Sequence, residues 1–166
     1  MNGIKFRGKR VDNIEWVYGF YWHKHNNACF AEEFDIQNFI RVQENHDWNL
    51  TSQIDYEIIP ETLGQCTDLK DKNGVDIYDG DIITFYNNYE YVKWGDCDNE
   101  NVLYYKAVVK IGQYEQDGSG GEYEPKKCCG VYCEIIGFNE GYIPNTTSLL
   151  ELKDVEIIGN VHDKGE

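Results

Sequence analysis

The 166-residue chain has no run of about twenty apolar residues, so no segment of it is able to cross a membrane as a helix. Its N-terminus is charged and no hydrophobic stretch follows, so no secretion signal is expected. It has no CxxC pair, which removes the commonest close-spaced framework for structural zinc. No lysine is followed by serine or threonine, which removes the phosphate-cradling P-loop. No serine or cysteine sits in a glycine-rich nucleophile elbow, and only four histidines are present to act as bases. Methionine occurs only as Met1, and Ala and Leu are outweighed by Tyr, Ile and Val, a balance that favours strands. Basic residues are also scarce: 15 Lys and Arg stand against 30 Asp and Glu, for a net charge of −15.

What is present is ring-rich. Thirteen tyrosines, seven phenylalanines and four tryptophans supply large areas to bury, with polar tips on most of them. The apolar fraction of 41% is compatible with a globular interior of one domain or two small lobes. Six cysteines without a secretion signal read as reduced thiols rather than a disulfide framework.

Charge is unevenly placed. Lys5, Arg7, Lys9 and Arg10 precede every acidic residue, and the remaining 156 residues hold 11 basic against 30 acidic groups, a balance of −19. Such a body repels a phosphate backbone, so direct nucleic-acid binding is disfavoured, and the basic start is expected to pair with acidic surface of its own or a neighbouring subunit. The segment "EWVYGFYW" carries Trp16, Tyr18, Phe20 and Trp22 at period two with Gly19 on the opposite side. With Lys5, Arg7, Lys9 and Arg10 these rings form the expected interaction surface, to be covered by another sheet or another subunit. A base-stacking platform is the alternative, but it wants a basic surround that this chain lacks.

The stretch "KDKNGVDIYDGDIITF", residues 70–85, holds four aspartates and two glycines. Neither glycine register fits a calcium loop: Gly74 at the sixth position puts Leu69 first and Gly80 twelfth, and Gly80 puts Val75 first and Tyr86 twelfth. Asn73-Gly74 and Asp79-Gly80 read instead as tight turns, with aspartate side chains accepting backbone N–H groups. Further strands are expected in "QIDYEIIP", "YEYVKW", "NVLYYKAVVKIG", "GVYCEIIGF" and "VEIIGNV", with a turn near Asp12-Asn13. A short helix is one reading of residues 31–39, an irregular strand through Phe39–Val42 the other, and a helical turn is expected at 147–152. The fold expectation is mainly β: a small barrel-like antiparallel architecture with an irregular N-terminal β lobe over residues 1–57, a C-terminal barrel-like domain over 58–166, and at most short helices.

Cys128, Cys129 and Cys133 cluster in sequence, and Cys129, Val131 and Cys133 share one strand side. A zinc site would need a fourth ligand from Cys29, Cys66, Cys97 or a histidine. His23 and His25 could form a two-ligand platform, with Cys29 or His46 as third. No catalytic, metal or cofactor residue is assigned; a metal-dependent or cysteine-based enzyme is the remaining alternative.

"IKFRGKR", "EWVYGF", the block "IIPETLGQCTDLKDKNGVDIYDGDIITF" at 58–85 and "VEIIGNVHD" at 155–163 together resemble the YopX-like family of bacteriophage and prophage proteins. The family's motif positions fall on Thr62, Gly64, Thr67, Leu69, Asp71, Gly74, Ile77, Gly80, Asp81 and Ile82. The resemblance implies that Thr62, Gly64, Thr67, Asp71, Asn73, Gly74, Asp79, Gly80 and Asp81 form a structural turn motif. Cys66 stands where the family's pattern leads one to expect an aromatic, and Asp68 where glycine is common. The resemblance also implies a phage- or prophage-encoded protein in the cytoplasm of a bacterial host, with a mostly β, partly barrel-like fold and a tendency to self-associate. Aromatic strand faces on an acidic chain add the expectation of a non-enzymatic accessory protein whose partners are copies of itself and a host or phage protein, with no cofactor and no membrane.

Overall fold

A computed structural model describes residues 4–26, 35–46, 50–86, 104–116, 126–137 and 146–163. The strands are β1 (Phe6–Lys9), β2 (Trp16–Asn26), β3 (Asp35–His46), β4 (Leu50–Glu57), β5 (Gly64–Lys70), β6 (Asp76–Tyr78), β7 (Asp81–Tyr86), β8 (Tyr104–Gln116), β9 (Lys126–Gly137), β10 (Thr146–Ser148) and β11 (Lys153–Asn160). The described helical residues are two 3-10 turns, Pro60–Thr62 and Leu149–Glu151. Of the segment 31–39, residues 35–39 extend as part of β3 rather than coiling into a helix, and 31–34 lie outside the described residues. The expected strand "YEYVKW" lies outside the described residues.

One sheet has the order β4-β3-β2-β1-β5-β6 and the other β10-β9-β8-β7-β11. The barrel expectation is wrong: β4 and β6 end the first sheet and β10 and β11 the second, and neither ladder returns to itself. Closure needs the outermost strands to hydrogen-bond each other at a fixed stagger. Turn spacing along a sequence counts strands without saying which is last. The N-terminal lobe is also not irregular. Strands β1 to β4 form a consecutive antiparallel meander with unbroken registers, and a single bridge, Arg10↔Ile58, clips the end of β1 beside the residue after β4. The chain divides into two compact units, 1–66 and 67–166.

In the first unit Val17, Ile40 and Ile58 are buried, with Phe6, Tyr21, Val42, Tyr56 and Leu63 against them. Period-two patterning explains the choice, since Val17 and Tyr21 share one side of β2 and the Trp16–Trp22 row takes the other. Two glycines let strands approach: a Cβ on Gly8 would come within 2.7 Å of Ile58 Cδ1, and one on Gly19 would run into the Arg41 carbonyl oxygen.

The second unit is built around Ile77, Ile83, Phe85, Tyr105, Ala107, Val109, Cys133, Leu149 and Val155. Ile83 and Phe85 alternate inward along β7, and the Phe85 and Tyr105 rings stack at 5.6 Å. Full burial of a ring such as Phe85 contributes about 2–3 kcal/mol by transfer from water. On the other side of the β8–β9 ladder Gly112 faces Gly130, with φ of 154° and 153°. That backbone region is nearly exclusive to glycine. Tyr114 and Tyr132 flank the glycine pair diagonally, and their rings stack at 4.8 Å.

Candidate functional site

Strand registers gather the basic start and the ring row on one side of the first sheet. Arg7 pairs with Tyr18, Lys9 with Trp16, Phe20 with Arg41, Trp22 with Phe39, and Arg41 with Asp55. Residues directly opposite in an antiparallel pair project to the same side. The Arg7 guanidinium lies 4.6 Å and the Lys9 ammonium 5.1 Å from the Trp16 ring centroid. Both basic residues are buried, and Lys5 is exposed. Cations held over an indole face gain from its quadrupole as well as from covering it.

At the far end of the row Trp22 stacks on Phe39 at 4.8 Å, with the Arg41 guanidinium 5.2 Å from the Trp22 centroid. Arg41 donates to both Asp55 oxygens, Nε to Oδ1 at 2.7 Å and Nη2 to Oδ2 at 2.8 Å. Trp22 Nε1 donates to Asp55 Oδ1 at 3.1 Å. The Arg41 hydrogen bond, aided by Trp22, holds the Asp55 carboxyl below the ordinary carboxylate range against the opposing effect of desolvation. Arg10 donates to Asp12 and lies 4.1 Å over the Tyr56 ring. Between the two covered tryptophans, Tyr18 and Phe20 remain 49% and 46% exposed.

The 70–85 stretch folds as two aspartate-supported corners. Asp71 Oδ1 accepts the N–H of Asn73 at 2.8 Å and of Val75 at 2.9 Å; Oδ2 accepts Asn73 Nδ2 at 3.3 Å and the Ile157 N–H at 3.5 Å. Burial pushes its carboxyl up, but the backbone donors of Val75, Asn73 and Ile157 outweigh that and leave it lowered. Asp81, fully buried, accepts the Tyr78 N–H at 2.8 Å and Asn160 Nδ2 at 3.4 Å. Gly74 and Gly80 both have φ of 82°, a left-handed conformation that favours glycine, and Asn73 and Asp79 precede them.

Thr62 Oγ1 accepts the Lys9 N–H and donates to the Ile59 carbonyl, and Thr67 Oγ1 donates to the Ile77 carbonyl. Gly64 sits opposite Arg7 in the β1–β5 pair. Asp68 has φ of 60°, a left-handed conformation that favours glycine, and Cys66 is buried where an aromatic was expected.

Cys129 and Cys133 do share a side of β9, yet Cys133 is wholly buried and Cys129 exposed, while Cys128 turns its Sγ toward Gln116 Oε1 at 3.8 Å. Burial alone pushes the Cys133 thiol up to about 12. The His23 and His25 rings meet edge-on at 5.0 Å. Among the described residues no group of three or more His, Cys, Asp or Glu is placed to hold a metal ion. Cys29, Cys97 and the side chain of His46 lie outside the described residues.

Sequence reasoning missed Asn160. It is buried, faces Asp81 across the β7–β11 ladder, and accepts the His162 N–H at 2.9 Å through Oδ1. Its signal was the Gly159-Asn160 pair in "VEIIGNVHD", a turn-forming dipeptide at the end of a strand. The Arg41–Asp55 pair was missed too, since fourteen residues of sequence separate its members.

No helix among the described residues is long and apolar enough to cross a membrane. No curated protein and no solved structure matches the chain. A family model described as "YopX protein" matches residues 5–166, and this covers the basic-aromatic side of the first sheet, both aspartate corners and the closing β11 segment. The chain belongs to the YopX family.

Proposed function

We propose that this YopX-family chain is a phage or prophage accessory protein that works by protein contact rather than catalysis. It associates with copies of itself and binds a host or phage protein in the cytoplasm of the bacterial host. The observation that carries the reading is the exposure of Tyr18 and Phe20 between two half-buried tryptophans, Trp16 under Arg7 and Lys9 and Trp22 under Arg41. Rigid rings flanked by arginine and rimmed by polar groups are what protein interfaces concentrate at their centres. Direct nucleic-acid binding is the weaker reading. Arg7 and Lys9 are buried against Trp16, and Arg10 and Arg41 are in ion pairs with Asp12 and Asp55. Phosphate contact would require those cations.

The test compares the wild type with the Tyr18→Ser/Phe20→Ser double variant, in co-purification from lysogenic cells and in sedimentation over about 1 to 100 µM. The expected result is a defined protein partner, retained by the wild type and lost by the variant. A variant that keeps the same partner at the same yield would overturn the assignment of the face. A wild type that neither self-associates nor retains a partner would overturn the function.

A further inference from the structure

Four strands form the outer edges of the two sheets, and three of them carry protections common at natural edges. β6 and β10 are three residues each, and the register of β11 against β7 shifts twice. β4 differs. It is eight residues long, contains no proline and no lysine, and pairs with β3 from His46↔Leu50 to Phe39↔Glu57 without a shift.

The direction of its backbone groups follows from one bond. The Ile58 N–H donates to the Asn38 carbonyl on β3 at 2.9 Å. Groups alternate along an antiparallel strand, so the even residues of β4 face β3 and Thr51, Gln53, Asp55 and Glu57 present theirs outward. At Glu57 the outward carbonyl already accepts the Val11 N–H at 3.0 Å. The open edge is therefore Thr51–Asp55. All three of its outward residues are exposed, and no described residue pairs with that side.

We propose that this edge is where a second copy of the chain docks, strand against strand and antiparallel, with Gln53 on the two-fold axis. The register selects itself. Pivoting on Gln53 sets Thr51 opposite the partner's Asp55 and makes three hydrogen-bonded pairs, each exchanging two bonds, that stop short of Val11. Pivoting on Ile54 would drive the partner's Thr51 into the place Val11 holds beside Glu57. Pivoting on Asp55 would set two aspartates face to face, a destabilising arrangement. A second copy is favoured as the occupant because this register is self-complementary and sets no like charges directly opposite each other. The only ionisable groups on β4 are Asp55, Tyr56 and Glu57, and the Asp55 carboxylate is already neutralised by the bidentate Arg41. The residue opposite it in the dimer is an uncharged threonine whose hydroxyl is free to donate. Ser52 and Ile54 would meet the partner's Ile54 and Ser52 on the side that carries Val42 and Ile40, continuing the apolar row of that sheet. The inference rests on the self-association in the proposed function but on the backbone edge of β4 rather than on the Tyr18 and Phe20 rings.

Gln53→Cys tests the axis directly. Opposed residues in a hydrogen-bonded pair have Cα atoms about 5.5 Å apart, inside the range a disulfide spans. Mild oxidation is expected to convert Gln53→Cys to a covalent dimer well beyond the wild-type background. Thr51→Cys, which faces Asp55 rather than itself, is expected to stay at that background. Gln53→Pro, which removes the central outward N–H, is expected to weaken dimerisation at least about tenfold in sedimentation, with far-UV circular dichroism unchanged. Gln53→Lys sets two ammonium groups on the axis and gives the same readout should the proline variant fail to fold. Tyr18→Ser/Phe20→Ser is expected to keep the edge dimer. No excess cross-linking in Gln53→Cys, or unchanged dimerisation in both Gln53→Pro and Gln53→Lys, would overturn the edge while leaving self-association standing. A wild type that stays monomeric to about 100 µM would overturn both, whether or not the aromatic face still retains a partner.

Discussion

Replacing Asp71 by alanine removes one carboxylate that organises the whole 71–75 corner. Its Oδ1 alone accepts two backbone N–H groups, from Asn73 and Val75, and the corner is tied to β11 by the Lys72 N–H donating to the Val155 carbonyl at 2.7 Å. A hydrogen bond to a charged acceptor contributes about 1.5–3 kcal/mol. Asn73 and Val75 are exposed enough for water to replace part of the loss. The expected cost of Asp71→Ala is therefore about 3 kcal/mol for the two bonds together, at the low end of that range. Asp71→Asn keeps an oxygen in the Oδ1 position but turns an NH₂ toward Asn73 Nδ2 and the Ile157 N–H, so it is expected to cost about 1 kcal/mol.

The sign of the pH dependence is fixed by the lowered carboxyl. Its stabilisation is fully present above the unfolded aspartate value of about 3.9 and is lost as pH falls through the folded value. Urea unfolding of wild type, Asp71→Ala and Asp71→Asn at neutral pH and at several points below about pH 4 measures both effects. The gap between wild type and Asp71→Asn is expected to narrow with acid. An alanine variant within about 0.5 kcal/mol of wild type, or equal costs for alanine and asparagine, would refute the reasoning.

Gly19→Ala is expected to destabilise the first unit by about 3 kcal/mol, because the added methyl meets the Arg41 backbone rather than a side chain able to move; a thermal midpoint equal to wild type would contradict this. In native protein the exposed Cys129 is expected to react promptly with a thiol reagent and the buried Cys133 only after denaturation. Peptide mapping showing both labelled at the same rate would count against the burial that raises the Cys133 thiol.

The features readable in advance are local ones. Asn73-Gly74 and Asp79-Gly80 declare their turns through residues that tolerate left-handed backbone, and the Trp16–Trp22 row declares a strand through its period of two. Period alone left open which side of β2 meets the core, and the structure puts Val17 there while Tyr18 and Phe20 remain exposed. Sheet closure was misjudged because it depends on which distant strands pair, and nothing in the turn spacing of β7 to β11 encodes that β10 and β11 stay apart. Residues 35–39 could be read as helix or strand because a short segment such as "DIQNF" fits either period; the five rungs to β2 from Asn26↔Asp35 to Trp22↔Phe39 decide it. Of the candidate face, the rings and cations were visible in the sequence. The clasp that Arg41 and Asp55 place over Trp22 was not, since it exists only once β3 lies between β2 and β4.

Laying Arg7 and Lys9 across an indole has an electrostatic result beyond the packing itself. Two of the 15 basic residues are turned inward, and with a net charge of −15 an approaching molecule meets a predominantly negative surface. Under the proposed self-association two copies would meet against mutual repulsion, which dissolved ions weaken over about 10 Å at 0.1 M ionic strength. Added salt is therefore expected to tighten a homotypic complex, the reverse of what it does to a protein held on a polyanion.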